Sequence, residues 1–203
     1  FVEGVPLEEM ARDDEPQKQR DKHGAALEHL TNRELFEFHV MQTDPNFANY
    51  LFQPDSGRLV LLDFGATQEF TVDFVDRFRR ITRAIVARDR TAIAEQAVAI
   101  GYLAADAPPP QREAVVDVIQ LVCEPLQHRG RYDFGASNLP ARARDLGFDL
   151  AFKQGLLKAP PPDTMFLHRT LAGMDLLLMS VSTPDGQHRL DQLASAIARE
   201  LMA

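Results

Sequence analysis

Cysteine is almost missing from this 203-residue chain. Cys123 stands alone, which excludes an intramolecular disulfide and a cysteine-built zinc cluster and fits a reducing compartment. The thiol is expected to be buried. Lysine is nearly as scarce: only Lys18, Lys22, Lys153 and Lys158 occur, none of them in a Val-Ala-x-Lys strand context. Basic charge is outweighed as well, 22 Lys and Arg against 30 Asp and Glu, for a net charge of -8. That balance argues against nonspecific attraction to nucleic acid or anionic membrane, both of which need basic surface. No long apolar run is present either. The most apolar late segment, Leu176 to Val181, falls far short of the about 20 residues a membrane span needs, and no signal peptide is visible, so membrane contact is expected to be peripheral. What the chain does have is 45% hydrophobic content, enough for one sizeable core and one domain.

The informative stretch runs from Met41 to Gly65. Asp44 and Asn49 are separated by Pro45-Asn46-Phe47-Ala48, a loop that Pro45 keeps out of helix. Two β-prone runs follow, Asn49 to Gln53 and Arg58 to Leu62, around the turn residues Pro54-Asp55-Ser56-Gly57, and this reads as a hairpin. The second run ends in Asp63-Phe64-Gly65. Protein-kinase-like folds present a catalytic carboxylate and two magnesium ligands in this order. The chemistry explains why. Moving a γ-phosphoryl group requires magnesium to neutralise phosphate charge and a carboxylate to orient the attacking oxygen and accept its proton. One Asp and one Asn oxygen suffice for the metal when nucleotide phosphates complete its shell. Any one of these residues would suit an ordinary surface turn; their joint order and spacing favour a site. A second Asp-Phe-Gly at Asp133 to Gly135 follows His128-Arg129-Gly130-Arg131, which does not read as a strand, and is taken as a loop tripeptide.

The segment Glu34 to Asn49, with Gln42-Thr43-Asp44-Pro45-Asn46 where ordinary protein kinases read His-Arg-Asp, and then Leu61 to Thr67, closely resembles the UbiB family of atypical kinases that serve coenzyme Q biosynthesis. Tyr132 to Gly135 and Pro160-Pro161-Pro162 running to Leu167-His168-Arg169 also look like that family. The resemblance implies a mainly α fold, a protein-kinase-like C-terminal lobe with a small β-hairpin at the active site, covering residues 1–203. Residues 1–10 would be the hinge-proximal segment, with backbone near Val2 touching adenine, and residues 42–65 the catalytic and metal-binding loops. Asp44 would be the catalytic carboxylate, Asn49 and Asp63 the Mg2+ ligands and contacts to ATP, and Gln42 a loop stabiliser. The partners implied are nucleotide and coenzyme Q biosynthesis proteins or a lipid, and the compartments bacterial cytoplasm or mitochondrial matrix. The glycine-rich loop, the strand lysine and the family's Lys-x-Gly-Gln signature are absent. Phe1 is not a natural start, so the chain reads as a fragment without its N-terminal lobe, inactive alone. The intact protein would hydrolyse ATP or transfer its phosphoryl group. Two other readings stay open: a small-molecule phosphotransferase, against which Gln42 argues, and a non-catalytic pseudokinase-like module that docks a protein or lipid partner.

Around this stretch the periodicity predicts helices. Gln17 to Met41 would place Leu27, Leu30, Leu35 and Phe38 on one side. A second helix would bury Phe74, Phe78, Ile81 and Ile85, and a third would span Asp89 to a C-capping Gly101. Ala107 to Pro110 reads as a break, followed by helices over Gln111 to Glu124 and Ala141 to Leu157. Asp163 or Thr164 would cap a helix reaching about Val181, Asp185-Gly186 would form a turn, and His188 to Met202 would form the last helix. His168 and Arg169 read as a structural pair and are given no site role.

Overall fold

Thr71 and Asp89 each end an extended stretch with a side-chain oxygen facing orphan helix N–H groups, and the central helices start there. The computed structural model describes residues 2–10, 16–44, 46–133, 136–150, 161, 164–171, 174 and 188–189. In chain order the elements are β1 Val5–Pro6, α1 Leu7–Met10, α2 Gln17–Arg33, a π-helical turn Glu34–Phe38, β2 Val40–Gln42, a 3-10 turn Phe47–Asn49, β3 Tyr50–Gln53, β4 Arg58–Leu61 and β5 Thr67–Glu69. Then come α3 Val72–Val86, α4 Arg90–Ile100, α5 Pro109–Val122, α6 Glu124–Gln127, β6 Arg131–Tyr132, α7 Leu139–Phe148, α8 at residues 164–171, and β7 His188–Arg189.

The Thr71 hydroxyl accepts from the Phe74 N–H at 3.2 Å, and the Asp89 carboxylate accepts from the Ala92 N–H at 3.0 Å. α3 turns Val75, Phe78, Ile81 and Ile85 inward, while Arg80 and Arg83 stay exposed. α4 ends at Gly101, whose φ of 99° only glycine adopts readily, and its N–H closes on the Ala97 carbonyl at 3.1 Å. α3 and α4 pack with Leu35, Phe36, Met41, Val116 and Leu167 into the largest core. A second core, Leu7, Leu27, Tyr50, Tyr132 and Met174, lies under the hairpin, and a third joins Ala97 and Leu103 to Val115.

The sheets are small. β3 and β4 form the predicted antiparallel hairpin in register Tyr50 to Leu61, and β1 adds a third strand on the β3 edge. β2 pairs antiparallel with β5, Gln42 opposite Thr67, and β6 pairs with β7.

Several expectations are corrected. The helix expected to Met41 leaves α geometry at Glu34, passes through the π turn and a left-handed His39 at φ 57°, and continues as β2. The surplus residue of the π turn changes the helical phase, so Phe38 is 48% exposed, stacked under the Arg33 guanidinium at 4.7 Å rather than in the core. Residues 1–10 are more than a connection, since they supply β1 and α1. α5 begins within the proline run, at Pro109, because first-turn prolines lose no helical hydrogen bond. Cys123 is half-buried at the α5–α6 break. A strand, β6, does precede Asp133, and His188–Arg189 are strand rather than helix. α7 starts earlier than expected, at Leu139, and runs as α-helix to Phe148 with π-helical residues at 149–150. Thr164 donates its hydroxyl to the Pro161 carbonyl at 2.7 Å instead of capping α8. Asp163, the turn at Asp185-Gly186, residues 151–157 and the rest of the terminal helix lie outside the described residues.

Candidate active site

β2 enters the site carrying Met41 and Gln42 and is followed by Thr43, all three buried. The ladder with β5 fixes which face each residue shows, and Thr43 locks the exit: its N–H and hydroxyl both donate to the Ala66 carbonyl, at 2.9 and 2.6 Å. Gln42, 2% exposed, reaches both halves of the site. Its amide nitrogen donates to the Asp63 carbonyl, and its amide oxygen accepts the Asp44 N–H at 3.1 Å. One buried side chain therefore ties the Asp44 loop to the Asp63 loop. The loop-stabilising role expected of Gln42 has this geometry.

Asp44 and Asn49 come together. The Asn49 amide nitrogen donates to the Asp44 carbonyl at 2.9 Å and to Asp44 Oδ2 at 3.3 Å, which turns its own oxygen away from the carboxylate and leaves a hard donor for a cation. The intervening turn is closed by Asn46, whose N–H donates to the Asp44 carbonyl at 2.9 Å and whose side chain accepts from Ala48 N–H at 3.0 Å. Across the hairpin base, the Leu62 N–H donates to the Asn49 carbonyl at 2.9 Å, so Asp63 follows directly after a residue tied to Asn49. Asp63 is exposed, its Oδ1 accepting from Gly65 N–H at 2.7 Å. Among the described residues no three or more His, Cys, Asp or Glu side chains cluster as a metal site. A cation held by Asn49 and Asp63 would have one amide and one carboxylate as protein donors, a set that suits magnesium when phosphate oxygens fill the remaining positions.

Val2 is not drawn into this group. β1 runs antiparallel to β3 with Val5 opposite Phe52, and the Gln53 side chain donates to the Glu3 carbonyl at 2.9 Å, which sets Val2 toward the far end of the hairpin from Asn49.

Three further residues bear on the site without having been singled out for it. Arg169, from α8, places Nη2 3.3 Å from Asp44 Oδ1. Nothing local in the sequence signals this contact, which spans 125 positions. Glu34, in the π turn, is 7% exposed; burial pushes its carboxyl up to about 7, against a partial offset from the Gln42 N–H. Tyr50 is buried, and the loss of hydration, with Glu34 and Asp44 nearby, raises its phenol well above the usual range.

Residues 1–97 match the ABC1 atypical kinase-like domain. The chain is 36% identical over 144 residues to the mitochondrial atypical kinase COQ8B of Rattus norvegicus, covering 71% of this chain and 27% of that protein. It is 35% identical over 153 residues to the mitochondrial atypical kinase COQ8 of Saccharomyces cerevisiae, covering 73% of this chain and 30% of the yeast protein. The chain thus spans 27% and 30% of the length of these two curated relatives. A solved structure, Rv3197 of Mycobacterium tuberculosis in complex with erythromycin, superimposes with a TM-score of 0.66 at 18% identity, over 100% of this chain and 48% of that one. That likeness shows a shared fold, which the ABC1 domain match identifies as kinase-like. Together with the Gln42 to Asn49 and Asp63 to Gly65 loops, these matches show that the chain belongs to the ABC1 atypical kinase-like family, the group that includes the COQ8 and UbiB proteins.

Proposed function

We propose that this chain is the C-terminal lobe of an ATP-using, Mg2+-dependent atypical kinase or ATPase that supports coenzyme Q biosynthesis. The observation that carries the reading is the Gln42 bridge: a buried amide joins the Asp44 loop to the Asp63 loop and so holds a would-be base and a would-be metal carboxylate on one frame. In this reading Mg2+, held by Asn49 and Asp63, supplies charge neutralisation at the nucleotide phosphates. Asp44 orients the attacking oxygen of water or an acceptor hydroxyl and takes its proton as the new P–O bond forms and the bond to the leaving diphosphate breaks. Asn49 holds Asp44 by its carbonyl and Oδ2, so one residue serves both metal and base. Gln42 keeps the two loops at fixed separation. Backbone near Val2 would meet the adenine, although no contact among the described residues ties it to Asp44, Asn49 or Asp63.

The residues that hold γ-phosphate from above, a glycine-rich or equivalent loop and a lysine, would come from other parts of the full-length protein, and residues 1–203 alone should bind nucleotide weakly. The mitochondrial COQ8 relatives support coenzyme Q biosynthesis proteins as partners and a mitochondrial setting, while a lipid partner and a bacterial setting rest on the family resemblance alone. No helix among the described residues is long and apolar enough to cross a membrane.

The deciding experiment is calorimetric titration of ATP, with and without Mg2+, into full-length protein and its Asp63→Asn variant. Mg2+-dependent binding lost in the variant is the expected result. A folded full-length protein that binds no ATP would sink the ATP-using reading and favour a docking module.

A further inference from the structure

We propose that Arg169 is a positioning residue for the Asp44 carboxylate, a role that rests on the reading of Asp44 as catalytic base. Both carboxylate oxygens of Asp44 are engaged, each from a different element: Oδ2 by Asn49 at 3.3 Å within the same loop, and Oδ1 by Arg169 Nη2 at 3.3 Å from α8. A carboxylate held at one oxygen can swing about its last torsion; held at both, it presents a fixed edge to an incoming oxygen.

The ordinary account of such a contact is an incidental surface ion pair, and the Arg169 side chain is 63% exposed. What separates this one from that class is the mounting of its helix. Leu167 is fully buried in the core that also holds Met41, the residue two before Thr43. Thr164 and Thr170 are each 1% exposed. His168 Nε2 lies 2.7 Å from the Tyr102 hydroxyl with the two rings stacked at 5.5 Å, and burial lowers the imidazole's pKa. Tyr102 follows the Gly101 cap of α4, and a Cβ at Gly101 would meet Pro161 Cγ at 3.0 Å, so the start of α8 sits directly on the end of α4. These neighbours anchor α8 from within and leave Arg169 directed at the site. Catalytic geometry supported from a packed element is the arrangement that holds a base in place. The ion pair itself is too exposed to be what keeps the fold together, so its effect belongs to the carboxylate it meets.

The test uses full-length protein carrying Arg169→Gln and Arg169→Lys beside Asp63→Asn. The expected result is that Arg169→Gln lowers kcat for ATP turnover roughly ten- to hundredfold while KM for ATP stays put, and that Arg169→Lys recovers part of the loss. Nitrogen-detected NMR of the Arg169 side chain should show its signal move in Asp44→Asn, confirming the contact in solution without reference to activity. Unchanged kcat in Arg169→Gln would reduce the contact to a surface ion pair and overturn the role. A raised KM at constant kcat would overturn it too, making Arg169 a nucleotide-binding group. If wild type turns over no ATP and Asp63→Asn is indistinguishable from it, the ATP-using reading itself falls and takes this role with it; turnover by wild type that survives in Arg169→Gln removes this role alone.

Discussion

Gln42 shows how much one side chain can decide. Replacing it with Ala would remove the partner of two part-buried groups, the Asp44 N–H and the Asp63 carbonyl, a cost of about 1 kcal/mol. Urea denaturation should register that loss, and Mg2+-dependent ATP binding should weaken with it because the two loops lose their shared anchor. Glu34 makes a pH prediction. Burial raises its folded value from 4.5 to about 7, so across that window the folded form holds more protons than the unfolded one, and stability falls as pH rises from 4.5 toward 7. Glu34→Gln should remove this fall and stabilise the protein at pH 8 by on the order of 1–2 kcal/mol, read from melting temperatures across pH. A melting curve with the same pH slope in both proteins would contradict it. At this scale the sequence was legible where the candidate site is built from chain neighbours: Asp44, Asn49, Asp63 and Gln42 lie within 21 positions, and hydrogen bonds join Gln42 to both loops and Asn49 to Asp44. Arg169 and Glu34 were not legible as site neighbours, because the first is brought in by tertiary packing and the second by a helix that changes its pitch.

The elements repeat this division. α3 was readable from its apolar spacing and α4 from its terminal glycine, and the side-chain caps at Thr71 and Asp89 agree with both. The π turn was not, since Glu34 to Phe38 carries the same apolar spacing as the helix before it, and only the packing of Leu35 and Phe36 against α3 selects the wider turn. β2 and β5 are three residues each, too short for alternation to speak. The seat of α8 on α4 gives a test at this scale. Gly101→Ala forces a side chain into left-handed backbone and toward Pro161, and should cost more than about 1 kcal/mol in chemical denaturation. If α8 supports Arg169 as argued, the same change should also lower kcat; a stability loss with kcat intact would show that α8 tolerates a shift.

For the molecule as a whole, the largest core lies away from the hairpin. α3 and α4 bury Ile81, Ile85, Ile93 and Ala94 in it, whereas the β3–β4 hairpin is mostly half-buried and its turn exposed. Hydrogen exchange should therefore be slowest at Ile81 to Ile85 and Ile93 to Ala97 and clearly faster through Leu51 to Leu61; the reverse order would mean that the site, not the helical core, is the most stable unit. The mainly helical, kinase-like outline was legible because helix signals recur along the chain and the hairpin is marked by its turn. The way the three small sheets and three cores among the described residues share the space was not, since it depends on contacts between distant segments. The contact between Asp44 and Arg169 has a consequence for synthesis. The ribosome must add 125 residues after Asp44 to reach Arg169, about 6–25 s of elongation at roughly 5–20 residues per second. For that interval a nascent chain can already form the hairpin and its acidic loops while the guanidinium that completes them does not yet exist.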